Sequence, residues 1–316
     1  MKFSFWGNAE FSALVLKTLV EQKILPEVVV TTSPKPLGRK EIITPNLVEI
    51  LARQYNLDVL YGDDLKAADF LIKLKERECQ TGVVASFGKI LPKEVLKVHP
   101  FGLLNIHPSL LPKYRGPSPI QTVLLNGEKE TGVSLFIIDE FIDHGPIIAQ
   151  SSLEIQYEDD YETLLHRLAE LGVKLVANFL PLYLEGKVVL KPQDETQASL
   201  TKKFTFNDGK IDWNSNVFNV YNKIRALFRE PGVYSFFIHN NQQKMLKIYK
   251  AFPFTPPSDF SWAKQNIFPG KTFNFQRRLI IACLDGFLEL LLVQPEGKII
   301  MKASDFLNGY QPEKFF

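Results

Sequence analysis

Cysteine is almost missing from this chain of 316 residues: there are two, Cys79 and Cys283, far apart in the sequence. They form neither a disulfide framework nor the paired spacing of a metal site. Each lies in or beside an apolar stretch, so both read as buried free thiols in a reducing compartment. No grouping of His, Cys and carboxylates has ligand spacing, and no metal is expected. No apolar run reaches the roughly 18 residues of a membrane span, so no membrane partner is expected. The first residues, Met1-Lys2-Phe3-Ser4-Phe5-Trp6-Gly7, read as a strand. They lack the apolar core and cleavage site of a secretory signal and the Arg/Ser-rich run of a transit segment, and a cytoplasmic protein is expected. Also absent are G-x-S-x-G, G-x-x-x-x-G-K-[ST], and a G-x-G-x-x-G after the first strand. Gly7-Asn8-Ala9-Glu10 fills that first turn instead, so a nicotinamide cofactor is not expected.

Neither sign of charge dominates: 37 Lys and Arg face 35 Asp and Glu, a net charge of +2. The distribution is uneven. Residues 191–316 carry 17 basic and 11 acidic residues, hence +6, and the remainder is −4. A mildly basic C-terminal part attracts polyanions without identifying one. What the chain does have is a full complement of core residues, 45% hydrophobic against 23% charged, enough for one large or two ordinary domains.

The first half alternates strands and helices. Phe3–Trp6 and Glu27–Thr31 read as strands, and the segment between them has apolar residues at helical spacing (Phe11, Leu14, Leu16, Leu19, Val20). Further helices are expected at 46–55, 65–77, 117–125 and 161–185, with strands at 82–86, 102–106, 133–138 and 147–155. Such alternation implies a Rossmann-like, mostly parallel α/β sheet with helices on both faces. The segment "KVVLKPQDETQASLTKK" at 187–203 is polar and aperiodic and reads as a linker. After a helix near 217–228 come short apolar runs separated by Gly, Pro and Asn turns, the pattern of a small, OB-like β-barrel. The expected division is a catalytic domain over 1–187, a linker over 188–203 and a barrel domain over 204–316.

Chemistry concentrates in "NIHPSLLPKYRGPSPI", residues 105–120. Asn105 and His107 are two apart at a strand end, so they share a face while Ile106 points into the sheet. Ligands of open α/β sheets bind outside the carboxyl ends of the strands. There an amide can donate to a developing oxyanion, and an imidazole can exchange a proton near neutral pH. Four prolines, at 108, 112, 117 and 119, stiffen the dozen residues after His107. A second segment, "IIDEFIDHGPII" at 137–148, brings Asp139, Glu140, Asp143 and His144 to the next strand end. A carboxylate beside His107 orients the ring and favours its charged form. Spacing alone does not choose between Asp139 and Asp143, nor exclude His144 as the active histidine.

The stretch "NIHPSLLPKYRGPSPIQTVLLNGEKETGVSLFIIDEFIDHGPII" resembles the core of the folate-dependent formyltransferases. "FWGNAEFS" resembles that family's first strand and turn. "DGKIDW" at 208–213, "KIRAL" at 223–227 with Pro231-Gly232, and "DGFLELLLVQPEGKIIMKASDFLNGY" at 285–310 resemble the branch whose acceptor is the initiator methionyl-tRNA. The chain departs from the family pattern at Phe141, His144 and Glu230.

The resemblance implies a catalytic trio of Asn105, His107 and Asp143. It implies a folate-binding wall from Ser109, Leu110, Leu111 and Pro112, with Phe87, Gly88, Ile90, Leu91 and Asp139. It implies tRNA contacts from the loop "SPKPLGRKEIITP", chiefly Arg39 and Lys40, and from the basic barrel, where Arg277-Arg278 and Lys202-Lys203 are candidates. The implied co-substrate is 10-formyltetrahydrofolate, used without a metal by a monomer. The rival acceptor is a sugar-nucleotide amine.

Overall fold

A computed structural model of the chain describes residues 1–38, 41–257 and 266–316. The chain forms two compact units. One comprises 1–119, 130–155 and 162–201, and the other 120–129, 156–161 and 202–316.

The strands of the first unit are β1 (Phe3–Trp6), β2 (Val28–Thr31), β3 (Lys35–Leu37), β4 (Ile42–Thr44), β5 (Val59–Tyr61), β6 (Thr81–Val84), β7 (Leu103–His107), β8 (Glu130–Ile137) and β9 (Ile147–Glu154). Seven of them make one sheet in the order β5-β2-β1-β6-β7-β8-β9. Pairings from β5 to β7 are parallel, and β7-β8 and β8-β9 are antiparallel. The central strands β1, β2 and β6 are buried along their whole length. This is why they read as unbroken apolar runs: both faces of a parallel sheet are covered. Ser4 is the polar exception in β1. Its hydroxyl accepts from Trp6 Nε1 at 2.8 Å and lies 2.9 Å from His99 Nε2.

The helices are α1 (Glu10–Glu21), α2 (Leu47–Gln54), α3 (Ala68–Lys75), α4 (Lys93–Leu96), α5 (Pro119–Leu125) and α6 (Tyr161–Leu184). All the expected helices are present, with ends shifted by a few residues. β3 and β4 pair as a small antiparallel hairpin within the loop "SPKPLGRKEIITP". Its strands are three residues each, too short for a period of two to show.

The second unit is a curled antiparallel half-barrel: β10 (Val233–His239), β11 (Gln242–Phe254), β12 (Thr272–Phe275), β13 (Arg278–Ala282), β14 (Phe287–Pro295) and β15 (Met301–Lys302), with α7 (Val217–Leu227) and α8 (Ala303–Gly309). Asn240 and Asn241, both left-handed at φ 52° and 59°, make the tight β10-β11 turn. β11 bends where its register with β14 shifts between Ile248 and Ala251. The C-terminal residues pair with both open edges. Phe315 bridges Phe237 of β10, and Lys314 bridges Lys271 beside β12. Phe237 is fully buried among the rings of Phe306, Tyr310 and Phe315.

Candidate active site

β7 and β8 set the site. In β7, Ile106 is buried, while Asn105 and His107 share the opposite face, as strand alternation requires. The loop 138–146 carries a carboxylate back toward them. It can close tightly because residue 145 is glycine: a Cβ there would lie 1.8 Å from the Ile137 carbonyl oxygen.

Asp143 is the hub. Its Oδ2 accepts from the Gly116 N–H at 2.7 Å and faces His107 Nδ1 at 3.6 Å. Its Oδ1 lies 3.4 Å from Asn105 Nδ2, a long and weak donor contact. His107 Nε2 is 2.9 Å from the Tyr114 carbonyl, which only accepts, so Nε2 carries the hydrogen and Nδ1 is left toward Asp143. His107 is buried, whereas Asn105 and Asp143 are half-buried and keep an open face. The three side chains therefore converge on one point. Asp139 does not join them. It accepts from the Phe141 N–H at 2.9 Å and pairs with His144 Nδ1 at 2.6 Å. The carboxylate beside His107 is thus Asp143, and His144 is turned toward Asp139.

A family profile for formyl transferases matches residues 1–180, and one for their C-terminal domain matches residues 203–311. The chain belongs to the formyl transferase family. It is 38% identical over 309 residues to the methionyl-tRNA formyltransferase of Thermodesulfovibrio yellowstonii, covering 96% of this chain and 94% of that one. It is 36% identical over 321 residues to the enzyme of the same name from Caldicellulosiruptor saccharolyticus, covering 99% and 98%. Two solved structures share the fold at low identity. The N-formyltransferase of Helicobacter canadensis, solved with folinic acid and dTDP-3-aminofucose, has a TM-score of 0.63 and 20% identity over 92% of this chain and 98% of its own. HypX from Aquifex aeolicus, solved with tetrahydrofolic acid, has a TM-score of 0.66 and 17% identity over 97% of this chain, which spans 47% of that longer protein.

The other residues expected at this family's sites fall into distinct settings. The rim 109–112 is folded on itself and tied to β8. Ser109 Oγ donates to the Lys113 carbonyl at 2.7 Å, and Ser134 Oγ donates to the Ser109 carbonyl and accepts from the Leu111 N–H. Leu111 packs with Phe136 and Ile147, while Leu110 and Pro112 are half-buried. At the end of β6 the chain turns through Ser86 and Gly88, both left-handed. Phe87 is turned away into the apolar cluster, edge-on to Trp6 at 5.4 Å, so its ring backs the loop and offers no open surface. Leu91 packs on the same cluster, and Ile90 is 84% exposed. Arg39 and Lys40, between β3 and β4, lie outside the described residues.

Sequence reasoning missed the groups that hold this constellation. Residues 187–203 read as a linker, yet from Lys191 to Thr201 they are bound along the first unit. Lys191 exchanges two backbone hydrogen bonds with Ile147, and Ser199 and Thr201 bond to both sides of Arg115. Arg115 is buried, and its guanidinium meets Gln193 and Glu195. That contact holds the Glu195 carboxyl below the usual carboxylate range and raises Arg115. The partners are separated by 78 and 80 positions, and no local pattern announces them.

Of the basic barrel candidates, Arg278 is bound to Glu289 and Lys202 to Asp208 at 2.5 Å, so each spends its charge on a carboxylate. Both cysteines are buried, which pushes Cys79 up to about 11 and Cys283 up to about 12. Such thiols are inert packing groups.

Proposed function

We propose that the chain transfers the formyl group of 10-formyltetrahydrofolate to the α-amino group of initiator methionyl-tRNA. The convergence of Asn105 and His107 on Asp143 carries this reading, in a chain whose relatives, covered over 94% and 98% of their length, are named methionyl-tRNA formyltransferase. An α-amine has a pKa near roughly 8, so a useful fraction is neutral at physiological pH. Its nitrogen attacks the formyl carbon, and the carbonyl electron pair moves onto oxygen. The Asn105 amide donates to that oxyanion, an interaction typically worth about 3–4 kcal/mol. His107, its Nε2–H held by the Tyr114 carbonyl and its Nδ1 toward Asp143, stands beside the same charge. Collapse of the intermediate expels the folate nitrogen. Asp143 relays the proton lost by the amine toward that leaving nitrogen. No covalent bond to the protein forms.

In this reading the Ser109–Pro112 rim and the 86–91 turn bound the folate, with Phe87 supporting the turn from behind and the exposed Ile90 offering apolar surface to a flat ring. Asp139 shapes the loop through His144. The tRNA contacts of this reading are Arg39 and Lys40 and, separately, the basic surface of the barrel. Lys210, Lys250, Lys271 and Lys314 each stand over an aromatic ring of the barrel, a combination suited to a nucleic-acid backbone and bases. The enzyme would act as a monomer in the cytoplasm, where translation begins. Labelled formyl transfer to charged initiator tRNA, run beside an amino-sugar nucleotide, tests the acceptor. Transfer to the tRNA is expected, and a preference for the sugar amine would overturn the assignment.

A further inference from the structure

Asp143 has a left-handed backbone, φ 49°, a conformation that a non-glycine residue keeps only where its surroundings hold it. One side chain bonds to its backbone from outside the loop. Gln193 Nε2 donates to the Asp143 carbonyl at 2.9 Å and to the Gly145 carbonyl at 2.8 Å. The other end of the same amide is fixed as well: Gln193 Oε1 accepts from Arg115 Nη2 at 2.8 Å and from Nε at 3.1 Å. Both donor hydrogens and both acceptor directions of the amide are therefore used. Arg115 is itself anchored. Its guanidinium makes a fork onto Glu195, at 2.6 and 2.9 Å, and its N–H and carbonyl bond to Ser199 and Thr201. Arg115 is also flanked by Tyr114, whose carbonyl holds His107, and by Gly116, whose N–H holds Asp143. One bound segment thus fixes both halves of the trio, and Gln193 is the link to the Asp143 half.

We propose that Gln193 is a positioning residue for the transfer step: its amide N–H groups hold the backbone of residues 143–145, and so aim the Asp143 carboxylate at Asn105 and His107. This rests on the reading of Asp143 as part of the active site. Gln193 has no direct role in the chemistry, because its side chain is spent on two carbonyls and a guanidinium.

The test separates its two ends. Gln193→Glu keeps an acceptor for Arg115 and removes both N–H donors. Gln193→Met keeps the length, removes all four bonds and adds no charge. Each should lower kcat by about 10–100-fold, the usual result of displacing a catalytic group by an ångström or less. The KM for folate should stay near that of the parent, and any fall in the thermal midpoint should be the same in the Asp143→Asn background. In an Asp143→Asn background the same changes should cost less than about twofold, because the group they position is already disabled. Full kcat in either single variant overturns the proposal. So does an equal fold-loss in both backgrounds, or a loss that tracks the melting temperature. Full activity of Asp143→Asn alone would take down the reading of Asp143 and the proposal with it, whereas an inactive Asp143→Asn with an active Gln193→Glu sinks the proposal only.

Discussion

The two units bury different kinds of groups. The first threads polar side chains through its interior: Trp6, Ser4 and His99 form one chain, and His107, Asp143, Arg115 and Gln193 another. Each member has a defined partner and distance. The second stacks rings. Phe237, Phe306, Tyr310 and Phe315 fill its centre, and its lysines stand over aromatic faces. Directional bonds suit a site that must aim single atoms, whereas stacked rings tolerate small shifts and build a broad surface. Changes in the first unit should therefore alter rate and pH response, and changes in the second should alter stability or affinity in graded steps.

The largest expected effect is in the ring cluster. Phe237→Ala removes a fully buried phenyl and should cost about 3–5 kcal/mol in chemical denaturation. A loss near zero would mean that the rings are not the unit's core. Next is the polar chain of the first unit. Burial pushes His99 down from 6.5 to about 4. Its folded pKa is the lower one, so this stability is fully present above about pH 6.5 and is lost as pH falls through about 4. The loss amounts to about 3 kcal/mol. Denaturation of the parent and of His99→Gln at both pH values checks it. The variant should lack that share of the acid sensitivity, and identical pH slopes would clear His99 of any part in it. The smallest effect belongs to the barrel surface. Lys271→Ala with Lys314→Ala should weaken tRNA binding uniformly and lower the slope of log affinity against log salt by about 2, one for each phosphate contact. An unchanged slope would move the tRNA off these residues.

The same contrast governs how much the sequence discloses. The pairing of Asn105 with His107 was legible because both lie in one strand, where period-two alternation forces them onto one face. The choice of Asp143 over Asp139 was not legible from spacing. It depends on a loop closing at Gly145 and on the Gly116 N–H, both products of packing. The segment around Gln193 read as a linker because polar, aperiodic sequence normally stays in solvent. Here its polarity serves hydrogen bonds to Arg115 and to the Asp143 loop. The β-strand runs of the barrel were visible as short apolar stretches. The length of β11 was hidden by Lys250 and Pro253, and the edge pairing of Lys314 and Phe315 by its long sequence separation.

If Asn105 and His107, aimed by Asp143, carry the formyl transfer, removing either side chain must slow the chemical step itself. Single-turnover formylation of methionyl-tRNA by Asn105→Ala and by His107→Ala, at saturating folate and tRNA, isolates that step. The expected rate is lower by about a hundredfold or more in each, with circular dichroism and tRNA affinity retained. A rate within a few-fold of the parent in either variant would contradict the assignment.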